Sequence, residues 1–155
     1  MSNRKVGVIG AGTMGAGIAQ VFAMAGYDVM LVDVEQRFLN RGLATIKKSL
    51  DRMLEKGKVT VDVVAAVQSR INPNLRVEVC QECGLVVEAV TEDVNVKKEL
   101  FSKLDAFCYP EAILATNTST ISVTLLGGVT KRPGKVIGMH FMNPVPLMQL
   151  VEVVR

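Results

Sequence analysis

An apolar run, Val6-Gly7-Val8-Ile9, breaks into glycines at positions 10, 12 and 15 and passes at once into apolar residues at helical spacing, Ile18, Val21, Phe22 and Ala25. No other feature constrains the fold as strongly. A strand, a glycine turn and a helix in this order open a βαβ unit whose turn is built to approach a phosphate. Gly10 permits the tight turn, Gly12 lets a pyrophosphate reach the backbone, and Gly15 lets the helix pack closely on the sheet. Thr13 and Met14 fall in the first turn of that helix, where free N–H groups and the positive dipole end favour an anion. Gly26 ends the helix, and Val29-Met30-Leu31-Val32 reads as a second strand with Asp33 at its end, eighteen residues after Gly15. A carboxylate there is placed to accept hydrogen bonds from ribose hydroxyls and repels a 2′-phosphate, so NAD is favoured over NADP. The alternative reading is a glycine turn followed by a helix-capping Asp.

Beyond Asp33 short apolar runs keep alternating with amphipathic stretches, the pattern of a parallel sheet flanked by helices. Leu39, Leu43, Ile46, Leu50 and Met53 mark the buried face of a long helix that stops near Gly57. A short helix over 62–69 follows. Strands are expected at 85–87, 112–115, 135–139 and 150–154, with helices over 96–107 and 123–129 between them. The segment Ile71-Asn72-Pro73-Asn74-Leu75 gives no clear signal. The expectation is an α/β, Rossmann-like single domain over 1–155, because 155 residues hold one domain and hardly a second.

Composition excludes several classes. Hydrophobic residues at 49% and charged residues at 21% match an ordinary globular chain rather than a disordered one. A net charge of +3, with no Trp, lacks the basic stripe and stacking aromatics of a nucleic-acid binder. No apolar run approaches the roughly 18 residues of a membrane span. The start, Met1-Ser2-Asn3-Arg4-Lys5, fails as a signal peptide because glycines cut the apolar run behind it. A cytoplasmic location is therefore expected. Cys80, Cys83 and Cys108 cannot all pair, and reduced thiols are expected. Cys80-Gln-Glu-Cys83 resembles half of a zinc site, but one further Cys and one His are too few partners, so no metal is expected and packing before the strand is preferred.

His140, the only histidine, stands at a strand end. A lone histidine there is often structural. Its neighbourhood, His140-Phe141-Met142-Asn143-Pro144-Val145-Pro146, is followed twelve residues on by Glu152 in an otherwise apolar run. If the chain turns near Pro146, His140 and Glu152 meet across the turn. A carboxylate on one imidazole nitrogen fixes the tautomer and stabilises the imidazolium, which leaves the other nitrogen to exchange a proton with a substrate hydroxyl. The polar run Thr116-Asn117-Thr118-Ser119-Thr120 follows the strand expected at 112–115 at its carboxyl end, where open α/β sheets bind ligands. On the long helix Ser49, Arg52 and Lys56 form one polar stripe, in isolation a solvated face.

Together Val8-Ile9-Gly10-Ala11-Gly12-Thr13-Met14-Gly15, Val87-Glu88-Ala89-Val90, Asn117-Thr118-Ser119, His140-Phe141-Met142-Asn143-Pro144 and Leu150-Val151-Glu152-Val153 resemble the NAD-binding domain of the L-3-hydroxyacyl-CoA dehydrogenases, and within them the bacterial 3-hydroxybutyryl-CoA enzymes. The resemblance runs from Lys5 to Arg155. It implies interconversion of an L-3-hydroxyacyl-CoA, short-chain by preference, and a 3-oxoacyl-CoA with NAD, as in fatty acid β-oxidation and butanoate metabolism. It implies His140 as catalytic base, Glu152 as its orienting partner, and Ser119 and Asn143 at the reacting oxygen and the nicotinamide end. Asp33, Ala89, Glu92, Lys97 and Asn117 join the glycine loop as cofactor residues, and Ser49 and Lys56 fall where the family touches coenzyme A. Met142 replaces the family's usual Phe and Thr120 its usual Ser, and neither change removes a polar group from this set. Family members continue past the position of Arg155 into an all-helical domain that closes the cleft and makes the dimer contact, so a helical domain or subunit is an expected partner. Two alternatives stay open: a cofactor-binding module inactive without that partner, and a dehydrogenase of hydroxy acids that lack CoA.

Overall fold

The apolar runs pair into one seven-stranded sheet in the computed structural model, which describes residues 4–155. Met1, Ser2 and Asn3, part of the segment weighed as a leader, lie outside the described residues. Strands β1 (Lys5–Ile9), β2 (Asp28–Val32), β3 (Ile71–Asn74), β4 (Leu85–Glu88), β5 (Ile113–Thr116), β6 (Val136–Phe141) and β7 (Val151–Val154) lie in the order β3-β2-β1-β4-β5-β6-β7. Every pairing is parallel except β6 with β7. Helices α1 (Thr13–Met24), α2 (Gln36–Glu55), α3 (Val61–Arg70), α4 (Val94–Phe107) and α5 (Val123–Gly127) connect them.

The sheet is covered on both faces, and alternate residues of its central strands feed two apolar layers. Val6, Val8 and Val87 pack with Ile18, Leu39, Ile46 and Leu50 of α1 and α2. Ile9, Val86 and Leu114 pack with Phe101 and Leu104 of α4 and Leu126 of α5. Among the described residues no helix is long and apolar enough to cross a membrane.

Several boundaries differ from the periodicity reading, each for a local reason. The fourth helix starts at Val94 rather than Val96, because Asp93 caps it by accepting from the N–H groups of Asn95 and Val96. Thr60 caps the third helix, which starts at Val61. The unassigned segment is strand β3. It pairs only with β2, and an edge strand tolerates Pro73 where a central one does not. Two 3-10 turns, Val77–Glu82 and Pro133–Lys135, carried no periodic signal.

The first of these turns presses Cys80 against β1. All three cysteines are free and buried. The Cys80 thiol is raised by its hydrogen bond with Cys83 and then by burial, and burial pushes Cys108 up to about 11. Thiols so protonated and shielded behave as packing groups. Among the described residues no cluster of three or more His, Cys, Asp or Glu side chains is placed to hold a metal ion.

Candidate active site

Strand register assembles the site. Val32 pairs with Ile9, Ile9 with Glu88, Glu88 with Thr116, and Thr116 with Gly138, so the four parallel strands β2, β1, β4 and β5 end on one row. The residues that follow, Asp33, Gly10, Ala89 and Asn117, share the rim above it. Because β1 lies between β2 and β4, the chain reverses its winding direction there, and a crevice opens at the carboxyl ends of β1 and β4.

Two of the three loop glycines are required by the protein itself. Gly10 has φ +103°, and a Cβ on Gly15 would lie 1.7 Å from the Gly10 carbonyl oxygen. Gly12 is different. A Cβ there would meet no atom within 4 Å, so the space its missing side chain leaves belongs to the cleft. Gly12 is also the N-cap of α1 and no side chain caps that helix end, so N–H groups at Thr13 and Met14 face the same space. This is the fit expected of a pyrophosphate cradle. Asp33 Oδ2 accepts from the Ala11 N–H at 2.8 Å and Oδ1 from the Val34 N–H at 2.7 Å. The carboxylate is thereby fixed against the loop, with lone pairs left for a diol. A cavity of about 450 Å³ joins Gly12 and Asp33 to Val34, Phe38, Ala89 and Val90.

The far end of the rim carries the candidate proton-handling groups. His140 and Glu152 are directly opposed in the antiparallel pair β6–β7, and His140 Nδ1 lies 3.6 Å from Glu152 Oε2. The sequence expectation of a meeting across the turn at Pro146 holds. Asn117 Oδ1 accepts from the Phe141 N–H at 2.9 Å, which ties the loop after β5 to the residue beside His140. Ser119 and Asn143 are exposed on the two loops so joined. Buried Val145 anchors the second loop in the core below.

The polar stripe of α2, with Ser49 half-buried and Arg52 and Lys56 exposed, borders a cavity. Ser49, Arg52 and Lys56 line a cavity of about 440 Å³ whose opposite wall is Asn143, Pro144 and Val145. Ser49 Oγ accepts from Gln20 Nε2 at 3.0 Å, and Gln20 is itself buried. The stripe and the His140 loop thus border one space.

Glu92 and Lys97 meet, but around a residue that periodicity and motif spacing did not single out. Lys97, 1% exposed, reaches the fully buried Glu88 at 2.5 Å, the Val90 carbonyl at 3.3 Å and Glu92 Oε1 at 3.4 Å. Glu92 Oε2 accepts from the hydroxyls of Thr118 at 2.5 Å and Thr120 at 2.9 Å. Burial alone would raise the Glu92 carboxyl, but those two hydroxyls and the Lys97 charge outweigh it and hold it below its ordinary range. In the sequence Glu88 stood out only as a charge inside the apolar Leu85-Val86-Val87-Glu88-Ala89-Val90 run and as a member of the motif Val87-Glu88-Ala89-Val90, with no role attached.

Known proteins share this sequence pattern and fold. The family described as the NAD-binding domain of 3-hydroxyacyl-CoA dehydrogenase matches residues 5–155. The chain belongs to this family. It is 49% identical to the 3-hydroxybutyryl-CoA dehydrogenase of Bradyrhizobium diazoefficiens, over 98% of this chain and 52% of that one. It is 46% identical to the 3-hydroxybutyryl-CoA dehydrogenase of Clostridioides difficile, over 97% of this chain and 53% of that one. The crystal structure of (S)-3-hydroxybutyryl-CoA dehydrogenase from Ralstonia eutropha superposes with a TM-score of 0.95 at 42% identity, covering 98% of this chain and 54% of that one. The chain therefore spans about half the length of the relatives it matches.

Proposed function

We propose that this chain is the cofactor-binding and proton-transferring part of an NAD-dependent dehydrogenase that interconverts an L-3-hydroxyacyl-CoA and a 3-oxoacyl-CoA. The observation that carries the reading is the His140–Glu152 pair at 3.6 Å, on the same rim as a glycine loop open at Gly12. The family and the names of the relatives favour a short acyl chain such as 3-hydroxybutyryl. NAD, when bound, supplies a hydride acceptor or donor at its nicotinamide ring. All else falls to the protein.

Gly10, Gly12, Thr13, Met14 and Gly15 receive the pyrophosphate, and Asp33 takes the adenosine ribose. Ala89, Glu92, Lys97 and Asn117 border the cofactor further along the rim. In the oxidative direction His140 accepts the substrate hydroxyl proton at Nε2, because Nδ1 is the nitrogen turned to Glu152. Glu152 then balances the imidazolium charge. Ser119 and Asn143 bind the reacting oxygen and the nicotinamide end. In the reverse direction the protonated imidazole returns that proton to the forming alkoxide. Ser49 and Lys56 hold the CoA moiety, and the cavity they share with Asn143 leads its thioester arm toward His140. That continuity favours a CoA ester over a free hydroxy acid, which would leave the cationic stripe without a ligand.

A helical domain completes the cleft in this reading. Leu147, Met148, Leu150 and Val153 are exposed apolar residues around β7, beside the site, as expected of a face that a further domain covers. The buried free thiols suit a reducing, cytoplasmic compartment. Oxidation of NADH by acetoacetyl-CoA tests the proposal, assayed on this chain alone and on the chain extended by a relative's second half. Turnover in the extended form is expected, and its absence in both forms would refute the dehydrogenase reading.

A further inference from the structure

A carboxylate and an ammonium buried together are hard to explain as a device for stability, since apolar residues of similar volume usually serve as well or better. Here the pair lies beneath the site. Glu88 occupies the last position of β4, fully buried, and none of its oxygens is idle. Oε2 accepts from Lys97 Nζ at 2.5 Å and from the Val90 N–H at 2.8 Å, and Oε1 accepts from the Thr116 hydroxyl at 2.7 Å. The Glu88 backbone carbonyl accepts from the Asn117 N–H at 2.9 Å. One residue thus fastens the ends of β4 and β5 and the root of α4.

The contacts continue upward to the rim. Lys97 spans from Glu88 to Glu92, and Glu92 grips the hydroxyls of Thr118 and Thr120 on either side of Ser119. Glu92 is half-exposed and Thr120 exposed at the rim, whereas Thr118 is buried and Glu88 lies too deep for any ligand to touch.

We propose that Glu88 is a positioning residue for the cofactor. It sets the place of the Lys97 ammonium and, through it, of Glu92 and the loop carrying Ser119. The inference rests on the reading of the rim as an NAD site. A neutral amide at position 88 would keep the shape but give up the charge-assisted bond, leaving the ammonium positioned by the Val90 carbonyl and Glu92 alone. The carboxylate is needed at one distance, so Glu88→Asp, which preserves charge and withdraws it by one methylene, is expected to weaken NADH binding as well.

The test is NADH affinity by fluorescence titration, with melting temperature read in parallel, for the unaltered chain, Glu88→Gln, Lys97→Met, the double variant and Glu88→Asp. Glu88→Gln is expected to weaken binding about tenfold, the effect of one hydrogen bond to a charged group. In the Lys97→Met background the same change is expected to weaken it less than about twofold, because its route to the cofactor is already gone. A purely structural role gives equal losses in both backgrounds and would overturn the proposal. Should Lys97→Met fail to fold with an unpaired carboxylate beneath it, Glu88→Asp decides: weakened binding in a folded chain supports the proposal, and unaltered binding overturns it. Failure of the unaltered chain to bind NADH would instead strike the functional reading itself.

Discussion

His140 Nδ1 lies 3.6 Å from Glu152 Oε2, on residues that face each other across two antiparallel strands. The imidazole thus turns Nδ1 to a carboxylate, which leaves Nε2 as the nitrogen to exchange a proton in the proposed reaction. His140→Gln is expected to leave NADH affinity within about twofold of the unaltered chain and to lower turnover about 10²- to 10⁴-fold in the active assembly, the usual contribution of a positioned acid–base group. Glu152→Gln is expected to lose less, since it orients and does not transfer. Unaltered turnover in His140→Gln would make the histidine structural.

Asp33 is expected to govern which dinucleotide is accepted. Held by the Ala11 and Val34 N–H groups, its carboxylate cannot turn away from a 2′-phosphate. NADH is expected to raise the melting temperature markedly more than NADPH, and Asp33→Ala is expected to narrow the difference. Equal stabilisation of the unaltered chain by both cofactors would contradict the NAD preference.

Glycine to alanine inside a helix ordinarily stabilises by about 1 kcal/mol. At Gly42 the sign is expected to reverse. A Cβ there would lie 2.7 Å from the Ala11 carbonyl oxygen, so α2 would be forced off the glycine loop. Gly42→Ala is expected to lower both the melting temperature and NADH affinity, and a rise in melting temperature would show that the two segments separate freely.

Acid should loosen the underside of the domain through Asp105. This nearly buried carboxylate accepts from the Lys131 N–H and from Arg132 Nε, both at 2.7 Å. Burial alone would raise it, but the Lys131 N–H and the Arg132 guanidinium outweigh burial and hold it below the ordinary carboxylate range. The unfolded chain therefore takes up this proton first as pH falls. The stabilisation is complete above the ordinary Asp range and is lost as pH falls through the lower folded value. Asp105→Asn is expected to lose about 1–3 kcal/mol at neutral pH and to flatten the acid limb of the stability profile. Chemical denaturation across pH 2–7 checks this, and an unchanged acid limb would count against it.

The 155-residue chain alone is expected to bind NADH almost as well as a form extended by a relative's second half, yet to turn over at least about a hundredfold more slowly. The glycine loop and Asp33 are complete within it, whereas the thioester needs a closed, water-poor cleft. Steady-state kinetics on both forms decide the point, and equal turnover would show the cleft to be sufficient as it stands.

Features set by short-range chemistry were legible in the sequence. The glycine loop, the Asp33 position and the His140–Glu152 meeting each follow from spacing within one βαβ or hairpin unit. The Ser49 stripe was not, because a polar helix face looks the same whether water or a cavity wall lies opposite, and that wall comes from residues 143–145, some ninety positions away. Strand β3 was obscured because an edge strand with Pro73 has neither alternation nor an apolar run. Glu88 was passed over because its partners lie on α4 and β5, and a buried charge becomes visible only once those elements are packed around it.

The reversal of direction at β7 has a consequence for how this region tolerates change. Neighbours along a strand point to opposite sides of a sheet, so facing residues depend on parity as well as distance. Sliding β7 by one position against β6 would turn the Glu152 carboxylate through the sheet and bring Val151 or Val153 opposite the imidazole. Sliding it by two would restore the side but displace the carboxylate by about 7 Å. The β6–β7 register therefore does not depend on which side chains stand between Met142 and Leu150, whereas any insertion or deletion there must be absorbed within the turn itself if the histidine is to keep its counter-charge.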